Sequence, residues 1–213
     1  MGEPLLLVAA SGLAREVLAA VRTHDTFDVV GFLDDSLALQ GATIDSVPVL
    51  GTIDQIVDQP RTQVLVCAGR GAAREAIVAR LDRLDVSPAR YATFVHPSVE
   101  VPSGCDVGTG SILLAGVAMT ASVVLGELVV VMPNATLTHD DVLQDYATIC
   151  AGVALGGGVV VGRGAYVGMN ASVRERTVIG AGATLGMGAV LVNDLPAGET
   201  WAGVPARVLE AVR

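Results

Sequence analysis

Apolar residues recur every six positions through the second half of this chain. Stepping by six from Val95 gives Val101, Val107, Leu113, Met119, Leu125, Val131, Leu137, Leu143, Ile149, Leu155, Val161, Val167, Val173, Ile179, Leu185 and Leu191, with no step missed. Four places after each leader stands a second small or aliphatic residue, as at Val123, Val129, Ala135 and Ala147, and Asp141 is the charged exception. Neither an amphipathic helix at 3.6 residues nor a strand at 2 holds a six-residue phase this long, so the period predicts a parallel β-helix with three hexads to a triangular coil. Each leader points into the prism. The glycines at 156–158, 162, 164, 168, 180, 182, 186 and 188 suit corners that need permissive backbone or close approach of the next coil.

The first part of the chain has a different rhythm. Leu5–Ala9 is a continuous apolar run suited to a buried parallel strand, Ala10-Ser11-Gly12 is a turn, and Val17, Leu18 and Val21 mark one side of a helix over Ala14–Val21. Strands are expected over Val29–Leu33, Val47–Leu50 and Gln63–Ala68, with a short helix around Asp54–Val57 and a longer one over Ala72–Leu84. Strand, turn, helix, strand, with the acids Asp34 and Asp35 at a strand end, is the order of a Rossmann-like nucleotide-binding half-fold. The fold expected is therefore an α/β N-terminal Rossmann-like unit over 1–90, followed over 91–213 by a left-handed parallel β-helix. At its far end Gly203-Val204-Pro205-Ala206-Arg207 breaks the phase and caps the prism.

Composition narrows the function. The 213 residues are 52% hydrophobic, carry a net charge of -9 and contain no lysine, so no basic stripe exists to follow a nucleic-acid backbone. A small polyanion is still within reach of backbone N–H groups and a few arginines. No apolar stretch is long enough for a membrane helix, and Met1–Ala10 has no basic leader, so the cytoplasm is the expected location. Cys67, Cys105 and Cys150 lie in apolar contexts without CxxC spacing and predict buried thiols and no metal site.

Of three histidines, His24 falls in the polar run 23–26, expected to be a surface loop, and His96 starts the first coil. His139 stands instead in Thr138-His139-Asp140-Asp141, the most polar stretch inside the repeats and the place where the fourth-step pattern breaks. A histidine beside a carboxylate serves as a general base, the acid fixing its tautomer. No serine or cysteine is spaced as a covalent nucleophile. Direct attack by the acceptor, with His139 taking its proton, is the simpler chemistry.

Leu5-Leu6-Leu7-Val8-Ala9-Ala10-Ser11-Gly12-Leu13-Ala14-Arg15-Glu16-Val17, Gly31-Phe32-Leu33-Asp34-Asp35, His139-Asp140 in the eighth hexad and Gly203-Val204-Pro205-Ala206-Arg207 together resemble the bacterial sugar acyltransferases. These are of the sialic acid O-acetyltransferase and nucleotide-amino-sugar N-acetyltransferase type. The resemblance implies a left-handed β-helix homotrimer, acetyl-CoA as cosubstrate between neighbouring prisms, no metal, and a sugar or nucleotide sugar held by the N-terminal domain. It makes His139 the base and Asp140 its orienting acid. Gly157, one coil later, would offer its N–H to the thioester oxygen. Met169 and Met187 would line the pantetheine arm, and Val204, Pro205 and Arg207 would approach the adenine end. Ser11, Gly12, Asp34 and Asp35 match nucleotide-contacting positions.

The chain departs from that pattern with Leu13 in place of a histidine, Ser36 in place of a lysine, Met132-Pro133 before the base and Thr148 after it. The expected activity is N-acetylation of a nucleotide-linked amino sugar. O-acetylation of sialic acid or a related sugar is the alternative, and a non-catalytic β-helical scaffold is the alternative of another class. A zinc-dependent carbonic anhydrase on the same repeats needs three histidines, and the repeats here hold His96 and His139 alone.

Overall fold

The computed structural model describes residues 2–24 and 26–209. Asp25, part of the polar run expected to be a loop, and the last four residues of the 91–213 domain lie outside the described residues. The chain divides into two compact units. One runs to Gly69 and resumes over Ala73–Phe94; the other comprises Arg70–Ala72 and the chain from Val95 onward.

In the first unit, β1 (Glu3–Val8) pairs in parallel with β2 (Phe27–Leu33) on one side and β5 (Gln63–Val66) on the other. Leu5, Leu6, Leu7 and Val8 are fully buried, as a strand covered on both faces requires, each leucine contributing about 1.5–3 kcal/mol of burial. The sheet is completed by β4 (Val47–Gly51) and β3 (Thr43–Ile44), in the order β3-β4-β2-β1-β5. β3 was not expected. It is two residues long and antiparallel to β4, too short for any periodicity to mark. The first helix, α1 (Gly12–Val21), begins two residues before the expected Ala14 because the Ser11 hydroxyl caps it, accepting from the Ala14 N–H. Leu13, Ala14, Val17, Leu18 and Val21 form its buried face. A second helix, α2, spans Gly71–Arg83, and the segment around Asp54 is a 3₁₀ helix over Ile53–Asp58.

The second unit is a left-handed parallel β-helix. After the short strand β6 (Phe94–Val95), fifteen two-residue strands, β7 (Asp106–Val107) to β21 (Val190–Leu191), each end on a hexad leader and pair with strands one coil of eighteen residues away, as Leu125 does with Leu143. They stack into three sheets by every third strand. Leaders and fourth-step residues together form one core, from Leu113 and Val117 to Leu191 and Leu195, with Ala206 of the closing segment buried against it. Val101 is the leader that fails. It forms no strand and is 39% exposed, so the regular coils start at Asp106. The corners are as periodic as the strands. The third residue after a leader has positive φ at every step from Gly104 to Gly188, and where it is not glycine it is Ser122, Leu128, Asn134, Asp140, Tyr146, Asn170 or Arg176. Stacked coils therefore impose a left-handed corner even on residues that resist it.

Candidate active site

The hexad led by Leu137 turns its corner on Thr138, His139 and Asp140, then drives Asp141 inward. The next coil does the same with Gly156, Gly157, Gly158 and Val159. His139 and Gly157 are thus stacked on one edge of the prism, and the Gly158 N–H donates to the His139 carbonyl at 2.8 Å. His139 and Asp140 side chains are 68% and 66% exposed, and Nδ1 of the ring lies 2.8 Å from an Asp140 carboxylate oxygen. With Nδ1–H donating to that oxygen, Nε2 is left as the free base. The left-handed backbone of Asp140, φ 64°, is one that aspartate tolerates better than most residues.

Nε2 looks at Gly157. A Cβ built there would overlap the ring, so this glycine leaves the room that the ring takes in this position, its φ being ordinary. The Gly157 N–H makes no hydrogen bond among the described residues and is only half-buried, so it remains available to an incoming oxygen. Base and N–H donor on one edge are the two parts that acyl transfer to a nucleophile needs.

Beneath them Asp141 is fully buried. One carboxylate oxygen accepts from the Thr138 N–H and the other from the Val159 N–H, both at 2.8 Å. Burial pushes its carboxyl up to about 6, against the two N–H groups and the His139 ring, which pull it down. The Thr138 hydroxyl donates to the Leu155 carbonyl at 2.9 Å. The break in the fourth-step pattern was the signal for this pair; Thr138 and the bond to Val159 had none.

The other expected cofactor residues gather elsewhere. Met169 and Met187 lie in the corners that enter β18 (Ser172–Val173) and β21, whereas His139 and Gly157 lie in the corners that leave β12 (Thr136–Leu137) and β15 (Ala154–Leu155). All four strands belong to one sheet, β21-β18-β15-β12-β9, with β9 at Ala118–Met119. The methionines therefore occupy its opposite edge, up to about 20 Å away along a six-residue hexad. Val204 continues the methionine edge, following β22 (Thr200–Ala202); Met187 and Val204 are each 73% exposed. Pro205 is exposed too, and Arg207 pairs back on Ala202, its guanidinium donating to the Ala206 carbonyl.

In the first unit, Ser11, Gly12, Asp34 and Asp35 come together at the carboxyl ends of β1 and β2, beside β5. This is the side of an open α/β sheet where ligands bind. Their polar atoms are largely engaged. Ser11 donates to the Cys67 carbonyl; Asp34 accepts from the Ala10 and Ser36 N–H groups; Asp35 accepts from the Ile53 N–H and pairs with Arg80, which also holds Asp54. His96 is occupied by Ser98 at 2.8 Å. Cys67 and Cys150 are buried and Cys105 half-buried, all as free thiols. No group of three His, Cys, Asp or Glu side chains among the described residues is placed to hold a metal, and no described helix is long and apolar enough to cross a membrane.

Comparison with known proteins adds to this geometry. Residues 4–81 match the PglD N-terminal domain, and residues 158–193 match the bacterial transferase hexapeptide (six repeats). No curated protein sequence matches significantly. Among solved structures, the acetyltransferase domain of PglB from Neisseria gonorrhoeae FA1090 is 30% identical with a TM-score of 0.88, the match covering 98% of this chain and all of that one; it has also been solved in complex with acetyl coenzyme A. PerB from Caulobacter crescentus, in complex with CoA and GDP-perosamine, is 27% identical with a TM-score of 0.86, covering 98% of each chain. WeeI from Acinetobacter baumannii AYE is 25% identical with a TM-score of 0.70, covering 97% of this chain and 100% of that one. With both units and the whole length matched in this way, the chain belongs to the bacterial sugar acyltransferases that join a PglD-type N-terminal domain to a hexapeptide-repeat β-helix.

Proposed function

We propose that this protein transfers the acetyl group of acetyl-CoA to the amine of a nucleotide-linked amino sugar. The observation that carries the reading is the His139 ring, with Nδ1 on Asp140 and Nε2 over Gly157, in a chain matched along its length by acetyltransferase structures holding acetyl-CoA, or CoA with a GDP-sugar. The amine nitrogen attacks the thioester carbonyl carbon while His139 Nε2 takes its proton, and the Gly157 N–H receives the oxygen as it becomes anionic. The C–S bond then breaks. The thiolate leaves with the proton returned from the imidazolium, giving an amide and free CoA.

Two readings follow from the arrangement of the edges. Met169, Met187 and Val204 are exposed and apolar, and a second copy is needed to bring such an edge to His139. From β10 (Val124–Leu125) onward the outward residues of its sheet form an apolar ladder, Val124, Val142, Val160 and Val178, beyond Asp106 of β7, and this ladder suits the same association. The assembly is a homotrimer with acetyl-CoA between prisms, its arm on Met169 and Met187 and its adenine end towards Val204, Pro205 and Arg207. Ser11, Gly12, Asp34 and Asp35 of the 1–90 domain receive the nucleotide. The protein works in the cytoplasm, without metal, nucleic acid or membrane partner.

The experiment is thiol release from acetyl-CoA with UDP-, GDP- and dTDP-linked amino sugars and free sialic acids as acceptors. An acetamide product from a nucleotide-linked amine is expected. Release with sialic acid alone would move the chemistry to a hydroxyl, and no release with any acceptor would overturn the reading.

A further inference from the structure

Fourth-step residues of the prism normally close their own corner. The N–H groups of Ala147, Ala165, Ala171, Ala183 and Ala189 each donate to the carbonyl three residues earlier, at 3.0–3.3 Å. Val159 does not. Its N–H donates to Asp141 in the coil before, and the corner so left open is Gly156-Gly157-Gly158, three residues with the least power to hold their own shape. The other oxygen of the same carboxylate closes the Thr138-His139-Asp140 corner through the Thr138 N–H. Half of this arrangement recurs where Ser111 accepts from Val129 and Cys105 from Val123, each with one acceptor atom for one N–H. A short side chain with two acceptor oxygens serves both corners at once. Asparagine brings one oxygen.

We infer that Asp141 is a positioning residue for acyl transfer: beside the Gly158–His139 backbone bond, one buried carboxylate adds a second tie between the corner that carries His139 and the corner that carries Gly157, and so fixes the distance between base and N–H donor. The inference rests on the transferase reading of that edge and adds to it a part that neither Asp140 nor the repeat itself supplies. Burying an anion in the prism core opposes folding, and the chain does so at the one coil where two corners must be held in register.

The ionised form makes both bonds, whereas protonation turns one oxygen into a donor that faces an N–H group. With burial pushing the carboxyl up to about 6, the tie loosens as pH falls through that value. The titratable groups that bear on it are His139 and Asp140. The coil before presents Thr120, Ala121, Ser122 and Val123 and the coil after Gly156 to Val159, none of which titrates in this range.

The test compares wild type, Asp141→Asn and Asp141→Ser by steady-state thiol release across pH, and follows the Thr138 and Val159 amide resonances by NMR. Asp141→Asn is expected to lose about 10- to 100-fold in kcat, with the KM for acetyl-CoA nearly unchanged, because a misplacement of this kind costs chemistry and not binding. Its acidic limb should be shallower than that of the wild type, in which protonation of Asp141 also depresses the rate. Asp141→Ser keeps the bond to Val159, as Ser111 does for Val129, and should lose less than Asn if that bond matters more. In wild type the two amides should titrate together near pH 6, and in Asp141→Asn the Val159 amide should lose that step.

A folded Asp141→Asn enzyme with wild-type kcat and an unchanged pH profile would overturn the inference, as would amides that do not titrate in wild type. If Asp141→Asn fails to fold, the wild-type titration and the Ser variant decide. A wild type that acetylates nothing while both amides titrate sinks the transferase reading and leaves the tie standing.

Discussion

Two places in this molecule gather acids at a loop, and they use them in opposite ways. At the sheet end of the first unit, Asp34 and Asp35 accept from Ala10, Ser36 and Ile53 N–H groups and from Arg80, so their carboxylates hold the loops together. At the β-helix corner, Asp140 spends its carboxylate on one ring nitrogen of an exposed histidine, and Asp141 beneath it does the structural work. The lesson concerns background. In an α/β unit, acids at strand ends are common and their purpose is open; in a repeat whose equivalent step otherwise holds small or aliphatic residues, one aspartate is a departure with a cause.

That contrast breaks most sharply at His139. His139→Ala should lower kcat by roughly 10²- to 10⁴-fold while acetyl-CoA binding by calorimetry stays near wild type, since in the proposed reaction the ring takes the acceptor's proton and does not hold the cofactor. Near-normal turnover would move the catalytic centre off this edge.

Next in size is the scaffold beneath. Leu155→Ala removes a buried leader one residue before Gly156 and should cost roughly 2–5 kcal/mol in urea unfolding, through lost transfer energy and the cavity left behind. An unchanged midpoint would contradict the inward phase of the hexads.

Gly157→Ala tests space alone. The added methyl would stand 2.3 Å from His139 Nε2, and the backbone there needs no left-handed φ, so the ring must swing away while the fold is spared. A loss of about 10- to 100-fold in kcat with little change in melting is expected. Full activity would mean that the ring works from another position.

How much of this was legible follows from which physics repeats. The prism was readable because every coil restates it; Val101 misled because an apolar residue can satisfy the count without entering the core. The stacking of His139 on Gly157 was readable as one coil of eighteen residues. The same arithmetic puts Met169 and Met187 on the opposite edge, a point hidden when residues are matched one by one to a family. The tie from Asp141 to Val159 was not legible, because it depends on an N–H that forgoes its own corner. In the first unit, β3 is too short to show a period, and the ion pairs of Arg80 join side chains far apart in sequence, which no period announces.

The smallest effect sharpens the comparison from the other side. Arg80 pairs with Asp35 and Asp54, all three partly exposed, so Arg80→Met should lower stability by no more than about 1 kcal/mol. If the nucleotide binds at this sheet end, however, Arg80 has a second task. It neutralises Asp35, which would otherwise present an uncompensated anion to the diphosphate of the acceptor. Arg80→Met should then raise the KM for the nucleotide sugar several-fold, leave kcat and the KM for acetyl-CoA alone, and show its largest defect at low salt, where charge repulsion is least screened. A variant with an unchanged acceptor KM at every ionic strength would make Asp35 and Arg80 scaffold only, and would take the nucleotide away from the acid pair.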